Sequence, residues 1–449
     1  MRSVDPMESR ARELALAAGL DPDSRVPFKG ERTQPAWCQF REEARKERNA
    51  ASLAAVASVV MPQPEQYQNA PLTLFGQHDQ EMLGQMETCM RVGNVVAGAV
   101  CADAHLGYAQ PVGAAIAYEG QISISGVGFD IGCGNMAVRL DTPYAAVKDR
   151  AHELLRSIRA NISFGIGQVN ETRVEHALFH DDEAWHKSGM GDYHQKARAQ
   201  LGTVGSGNHY VDLFYDEDGF VWIGVHFGSR GLGHTTATRY LKFAGGKDGI
   251  HVPPAVVDED SEIGQRYIAG MELAGRYAYA GREWVVRKVQ ELIGGEVTHM
   301  VHNHHNYAWK ELHFGRECWV VRKGCTPAFP GQEGFIGGSM AEDAVIVEGT
   351  GTILPTNDAL NALFSTVHGA GRKMGRMVAK RTFTKEQMEE WLQRAGVILS
   401  GGDIDESPMA YKRLDEVLAF HADTITIKHR LKPFAVAMAG PGDFDPWKD

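Results

Sequence analysis

GVGFDIGCGN, residues 126–135, sets the carboxylate of Asp130 and the thiol of Cys133 on one short stretch among four glycines. Backbone without side chains at Gly126, Gly128, Gly132 and Gly134 can turn tightly and come close to a ligand. A hard carboxylate and a soft thiolate on one such turn make half of a metal site. The same residues also read as a strand-ending turn with a buried cysteine, because most free cysteines behave as small hydrophobes. On this stretch alone the two readings are balanced.

Working outward, other glycine turns carry chemistry of the same kind. GSGNHYVDL (205–213) presents Asn208, His209 and Asp212 before a strand-like run. HFGSRGLGH (226–234) places His226 at the end of VWIGVHFG, and Ser229 and Arg230 beside glycines suit an oxyanion or phosphate. VHNHHNYAWKELH (301–313) holds His302, His304, His305 and His313. A single histidine at a strand end is more often structural than ligating. Three separate histidine-bearing turns beside the Asp–Cys turn shift the balance to a metal centre. VRKGCTPAF (321–329) and FIGGSM (335–340) offer Arg322, Lys323, Ser339 and Met340 around bare backbone. Each reads as a phosphate or nucleotide contact or, more simply, as a surface basic pair and a β-turn. STVHGAGR (365–372) leaves His368 open as a metal ligand, a core histidine or a nucleophile.

Composition bounds the answer. The chain has 449 residues, 43% hydrophobic and 23% charged, which fits a soluble globular protein of one large or two to three smaller domains. A net charge of −11 argues against a surface coated for non-specific nucleic-acid binding, though not against a local basic groove. The longest apolar run, residues 50–61, is interrupted by serines and too short to span a bilayer. The opening MRSVDPMESR lacks the apolar core of a secretory signal, so a cytoplasmic, non-membrane protein is expected. Six cysteines without a C-x-x-C pair exclude a zinc ribbon and a thioredoxin-like site. The absence of H-E-x-x-H, Walker A and intact G-x-G-x-x-G sequences removes zincin proteases, P-loop NTPases and ordinary Rossmann enzymes as first choices.

Up to about residue 70 the chain reads as a charge-rich helical extension, with one helix expected from near Ala36 across CQFREEARKERNAASLAAVASVV. From about Val95, β-rich runs alternate with glycine turns. Strands are expected at Ile122 to Ile124, Val221 to His226, Val297 to His302, Trp319 to Arg322, Val345 to Val347 and Thr424 to Ile427. Ser261 to Leu292 reads as a long helix. Thr384 and Gln387 form a capping box for a helix that buries Met388, Trp391, Leu392 and Ala395 and stops at Gly396.

Taken in order, ADAHLGYAQPVG, GFDIGCGN, GSGNHYVDL, HFGSRGLGH, HHNYAWKE, VRKGCTPA, GGSM, STVHGAGR and DESPMAYKRLDEV resemble the RtcB family of RNA ligases. The resemblance implies an α+β fold built on a central pair of β-sheets surrounded by helices. It spans residues 95–440, after a 1–94 extension and lead-in and before a 441–449 tail. It implies two Mn²⁺ ions and GTP as cofactors. The substrate would be RNA ends bearing a 2′,3′-cyclic phosphate or 3′-phosphate, joined to 5′-hydroxyl ends in RNA repair or tRNA splicing. An archease-like protein is a candidate activator. By motif position, Cys133 would bridge the metals, with Asp130 and His209 on one and His226 and His305 on the other. His305 is preferred to His304 because Asn306 follows it directly. Asp103, with His105, matches the family's Asp-x-His turn and would share the catalytic centre. His368 matches the histidine that becomes guanylylated. Asn208, Asp212, Ser339, Met340, Gly369, Gly371, Arg372 and Tyr411 would contact the nucleotide, and Arg230 and Lys323 the RNA.

The chain departs from the family pattern at several nucleotide contacts. Met438 or Ala439 stands where a lysine is expected, GSMAEDA replaces GSMGTAS, Asp212 replaces a glutamate, and Pro327 takes a usually basic position. Two other readings keep part of this machinery. One is a dinuclear cyclic-phosphate hydrolase without ligation, the other a non-catalytic protein that binds RNA ends.

Overall fold

The computed structural model describes residues 6–28, 32–36, 40, 67, 69–350, 356–441 and 443. The chain divides into two units, Met1–Met61 with Lys242–Gly246, and Pro62–Leu241 with Lys247–Asp449. In the first unit the helix Pro6–Ala17 is followed by an antiparallel pair, Arg25–Phe28 with Arg32–Pro35. The expectation of a helical extension fits the helix Pro6–Ala17 and is corrected at the strand pair. The run RVPF, with two valine- and phenylalanine-type β formers, pairs as a strand once the chain turns back on it. The helix expected from Ala36 lies outside the described residues.

The second unit holds two large sheets. Across the first, strands run in the order Val297–His304, Gly134–Pro143, Phe220–Phe227, Tyr210–Tyr215, Ile425–Met438, Ala344–Gly349 and Glu333–Ile336, with Ile398–Ser400 parallel to Ile425–Met438. The second is five-stranded, in the order Asn306–His313, Arg316–Lys323, Val112–Glu119, Val95–His105 and Leu72–Leu74. The strand continues to Met438 where only Thr424 to Ile427 was expected. Ile425 to Leu431 pair with Ala344–Gly349 and Lys432 to Met438 with Tyr210–Tyr215, and the second pairing slips register between Pro433 and Ala435.

Both faces of the central strands Gly134–Pro143, Phe220–Phe227 and Tyr210–Tyr215 are largely buried, and alternate residues serve opposite faces. Val138, Val211, Leu213, Ile223, Val225 and Phe227 face the long helix Glu262–Ile293, which supplies Val285, Val286, Val289 and Ile293. Ala137, Phe214, Trp222, Phe335 and Ile346 pack on the other side. Fully burying each such side chain contributes about 1.5–3 kcal/mol. Gly224 lies where any Cβ would sit 2.6 Å from the Phe214 ring, so the close layer there depends on glycine. The helix Lys385–Ala395 has the expected capping box and a left-handed Gly396 at its end, with Met388 and Leu392 buried and Trp391 and Ala395 half-buried.

Strand register positions the site. Tyr210 lies opposite His226, His226 opposite Asn135, and Asn135 opposite Asn303, one row across four adjacent strands. His209, Cys133 and His305 each stand within two residues of that row, so the glycine turns deliver their side chains to one end of the sheet.

Candidate active site

Cys133 Sγ lies 3.8 Å from His209 Nε2 and 3.7 Å from His226 Nε2, and His209 Nε2 lies 3.0 Å from Asp130 Oδ2. The ligand atoms of Cys133, His209 and His226 all fall within 4.8 Å of one another. Donors about 2.0–2.3 Å from a common ion at tetrahedral or right angles are about 3.0–3.6 Å apart, so these separations fit ligation with little movement. The other ring nitrogens are already engaged. His209 Nδ1 faces the Val204 carbonyl at 3.0 Å, and His226 Nδ1 faces Asn135 Oδ1 at 2.6 Å. A nitrogen bonded to an oxygen acceptor carries the proton, which leaves both Nε2 lone pairs for a cation. Burial, then neighbouring positive charge, pushes His226 and His305 well below the usual histidine range, so both are neutral and able to ligate. Burial and the Asp130 carboxylate hold the Cys133 thiol up, and ion binding would release its proton.

His305 stacks on His226 with ring centroids 5.0 Å apart, and among the described residues its buried Nδ1 has no hydrogen-bond partner. An orphaned buried nitrogen beside this cluster fits a further ligand. His304 points elsewhere. Its Nδ1 lies 2.9 Å from Arg282 Nη2 and 3.0 Å from the Gly132 carbonyl. Arg282 is fully buried and spends its other donors on His302 Nε2 and the Gly132 and Phe227 carbonyls, at 2.9, 2.9 and 2.6 Å. It thereby braces the residues next to Cys133 and His226 from behind. His302 and His304 are structural, and His313 is engaged by Glu311 at 2.8 Å.

His368 adjoins the cluster, with its ring centroid 4.9 Å from that of His305. It follows the short strand Ser365–Val367, paired with Cys325–Pro327. Asp103 Oδ2 accepts from the His368 backbone N–H at 3.0 Å and lies 2.7 Å from its Nδ1. Nδ1 therefore donates, and Nε2 keeps a lone pair. Burial works to raise the Asp103 carboxyl, but the His368 charge and hydrogen bonds outweigh it and hold the group below its ordinary value. Gly371 is required here, since at φ +74 its Cβ would meet the Asp103 carbonyl at 2.1 Å.

A cavity of about 990 Å³ joins these groups. It is bordered by Asp130, Cys133, His209, His226, His305 and His368, and also by Asn208, Asp212, Lys323, Ser339, Met340, Gly369, Gly371, Arg372 and Tyr411. Of the expected site residues, Asp103 lies beneath the wall, and Arg230 packs behind His209, 3.4 Å from its Nδ1. Gly205 makes room for that guanidinium, because a Cβ there would lie 1.9 Å from Arg230 Nη1. Arg322 and Lys323 are not a surface pair. Arg322 is buried in a two-pronged bond to Glu311, at 2.6 and 3.0 Å. Lys323 Nζ donates to the Tyr108 carbonyl at 2.5 Å, and burial lowers it to about 8.

Sequence reasoning missed a charge network along the cavity wall. Arg372 Nη1 donates to Glu406 Oε2 at 3.2 Å and to the Tyr411 hydroxyl oxygen at 2.9 Å, and its Nη2 donates to the Asp405 carbonyl at 2.7 Å. Tyr411 and Arg376 also bond to Glu406, and Arg376 bonds to Asp405 at 3.0 Å. Asp405 and Glu406 open the stretch DESPMAY, but nothing local in it marks two carboxylates as buried. Asn135 was missed as well, although it closes the first glycine turn. Near Met438 the wall is apolar, since Met340, Met438, Met388 and Leu392 form one cluster with Tyr210 against it. The Asp212 Oδ1 and Tyr210 hydroxyl atoms are buried there without partners among the described residues. Burial pushes the Asp212 carboxyl well up.

A family model described as tRNA-splicing ligase RtcB matches residues 85–439. Over 365 residues the chain is 32% identical to the RNA-splicing ligase RtcB1 of Escherichia coli, covering 74% of this chain and 88% of that protein. Over 432 residues it is 31% identical to the tRNA-splicing ligase RtcB of Archaeoglobus fulgidus, covering 77% and 88%. Over 406 residues it is 30% identical to the tRNA-splicing ligase RtcB of Pyrobaculum aerophilum, covering 71% and 82%. Among the described residues no helix is long and apolar enough to cross a membrane. With a Cys/His cluster gathered on glycine turns, a held histidine and a family match over most of its length, this chain belongs to the RtcB family.

Proposed function

We propose that this chain is an RNA ligase that joins a 3′-phosphate or 2′,3′-cyclic phosphate end to a 5′-hydroxyl end, using GTP. The observation that carries the reading is the Asp103–His368 pair beside the His305 and Cys133 cluster. An imidazole held at Nδ1 turns its Nε2 outward as the candidate nucleophile. His368 Nε2 would attack the α-phosphorus of GTP, form a P–N bond and release pyrophosphate. The RNA 3′-phosphate oxygen would then take the GMP, breaking that P–N bond and freeing His368. The 5′-hydroxyl would attack the activated 3′-phosphorus and expel GMP, leaving a phosphodiester. A cyclic phosphate would first be opened by water.

Two Mn²⁺ ions held by Asp130, Cys133, His209, His226 and His305 would supply charge neutralisation at the transferring phosphorus. The chain's own residues do the positioning. Asp103 fixes the imidazole tautomer, Asn135 and the Val204 carbonyl aim the ligating histidines, and Asn208 at the cavity edge suits a phosphate. Arg372 and Tyr411 border the cavity in one buried network, and a rigid pair of this kind suits a nucleotide. The unpaired Asp212 and Tyr210 atoms beside Met340 and Met438 suit the edge of a nucleobase. The repair or splicing setting, an archease-like activator and a cytoplasmic location go with this reading.

The test is joining of a 3′-phosphate strand to a 5′-hydroxyl strand with Mn²⁺ and GTP. Product is expected from the wild-type chain and not from His368→Ala. Conversion of a cyclic phosphate to a 3′-phosphate with no joined product would overturn the ligase reading.

A further inference from the structure

Tyr108 is 49% exposed at the cavity edge. Most exposed apolar side chains of the described residues lie away from the cavity, and Tyr108 and Ile250 are the two that border it. An exposed ring on a loose loop would mean little, but this loop is tightly fastened. The Gln85 side chain donates to the carbonyls of Gly107 and Ile250, at 2.5 Å each, and accepts from the Gly107 N–H at 3.1 Å. The Tyr108 carbonyl accepts from Lys323 Nζ at 2.5 Å. Ala109 donates to the Gly249 carbonyl at 2.8 Å and its own carbonyl accepts from the Cys89 thiol at 3.1 Å. Ala109 is held at φ 59, a left-handed conformation that a residue with a Cβ rarely adopts. The chain thus fixes a strained turn with side chains on three sides and leaves its one large ring in the open.

That ring has aromatic backing. Tyr108 meets Phe129 edge-on, with centroids 6.5 Å apart, and Phe129 lies 5.3 Å from His234. Phe129 directly precedes Asp130, so the aromatic group begins one residue from the candidate metal cluster. Exposed aromatic rings on rigid backbone, beside cationic groups, are how proteins hold unpaired bases. A stacked ring needs no particular base and loses little rotamer freedom on contact.

We propose that Tyr108, backed by Phe129 and His234, is a stacking platform for a nucleobase at an RNA end, setting the adjoining phosphate or hydroxyl against the metal cluster. The proposal rests on the RNA-ligase reading for its substrate, and its test separates the two. RNA strands with 2-aminopurine at the 3′-phosphate end or at the 5′-hydroxyl end are titrated with wild-type protein, Tyr108→Ala and Tyr108→Trp. Stacking quenches this fluorophore. Quenching of at least one strand is expected with wild type and Tyr108→Trp, and none with Tyr108→Ala. In ligation, Tyr108→Ala is expected to raise KM for RNA about tenfold with little change in kcat, and Tyr108→Trp to restore it. Adduct formation between GTP and His368 should be unchanged in Tyr108→Ala, which also reports that the variant is folded. Quenching that persists in Tyr108→Ala, an unchanged KM, or loss of the adduct in that variant would each overturn the platform. A wild-type chain that forms no adduct overturns the ligase reading instead and leaves the quenching result to stand or fall alone.

Discussion

The Asp103 carboxylate grips His368 twice through one oxygen, from the backbone N–H at 3.0 Å and from Nδ1 at 2.7 Å. The double contact fixes both where the imidazole sits and which nitrogen is bare. Asp103→Asn keeps the shape but can present an amide N–H where an acceptor is needed, which favours the wrong tautomer. Guanylylation is expected to slow by about 10²–10⁴-fold, by analogy with carboxylates that orient a catalytic histidine. Single-turnover adduct formation checks this, and a rate within about threefold of wild type would deny Asp103 the role.

Asn135 holds His226 Nδ1 at 2.6 Å and stands outside the candidate ligand set. Loss of such a partner typically lowers metal affinity about 10–100-fold. Asn135→Ala should therefore weaken Mn²⁺ binding by that factor, as read by titration calorimetry. His305→Ala should lower the number of ions bound per chain, whereas His304→Ala should leave it unchanged, because His304 faces Arg282.

Much of this site was legible because strand ends and glycine turns are local features. The capping box at Thr384, the long helix after Ser261 and the turn that carries Cys133 depend on neighbours within a few residues. The choice of His305 over His304 came from the family pattern, and the different surroundings of the two rings appear only in three dimensions. Arg282, 22 residues before His304 in sequence, occupies that imidazole. Arg322 and Lys323 read as a surface pair because a basic dipeptide usually is one. Their burial depends on Glu311 and the Tyr108 carbonyl, partners set by sheet pairing and loop placement. The short pairing Arg25–Phe28 with Arg32–Pro35 was hidden by a charge-rich composition that favours helix.

Arg282 has neutral acceptors on every side, the His302 and His304 rings and the Gly132 and Phe227 carbonyls. Arg282→Met would leave several buried polar atoms without partners, each costing about 1–3 kcal/mol. A loss of about 3 kcal/mol or more in unfolding free energy is expected by denaturant titration. A loss under about 1 kcal/mol would mean that water replaces the guanidinium at no great cost.

Burial lowers His105 and His421 from 6.5 to about 4, and lowers His226, His304 and His305 well below 6.5. Below pH 6.5 the unfolded chain therefore binds more protons than the native one. Stability is fully present above that pH and falls as pH drops toward 4. Each such histidine contributes about 1.4 kcal/mol per pH unit within the window. Denaturant midpoints for the metal-free chain should be level above pH 6.5 and fall steeply from pH 6.5 to 4.5, and equal midpoints across that lower range would contradict these directions.

The most direct measurement is the intact mass of the protein after incubation with Mn²⁺ and each nucleoside triphosphate in turn. The account predicts a gain of one nucleoside monophosphate with GTP, labile to acid, and none in His368→Ala. No adduct with any nucleotide, or an adduct that survives in His368→Ala, would contradict it.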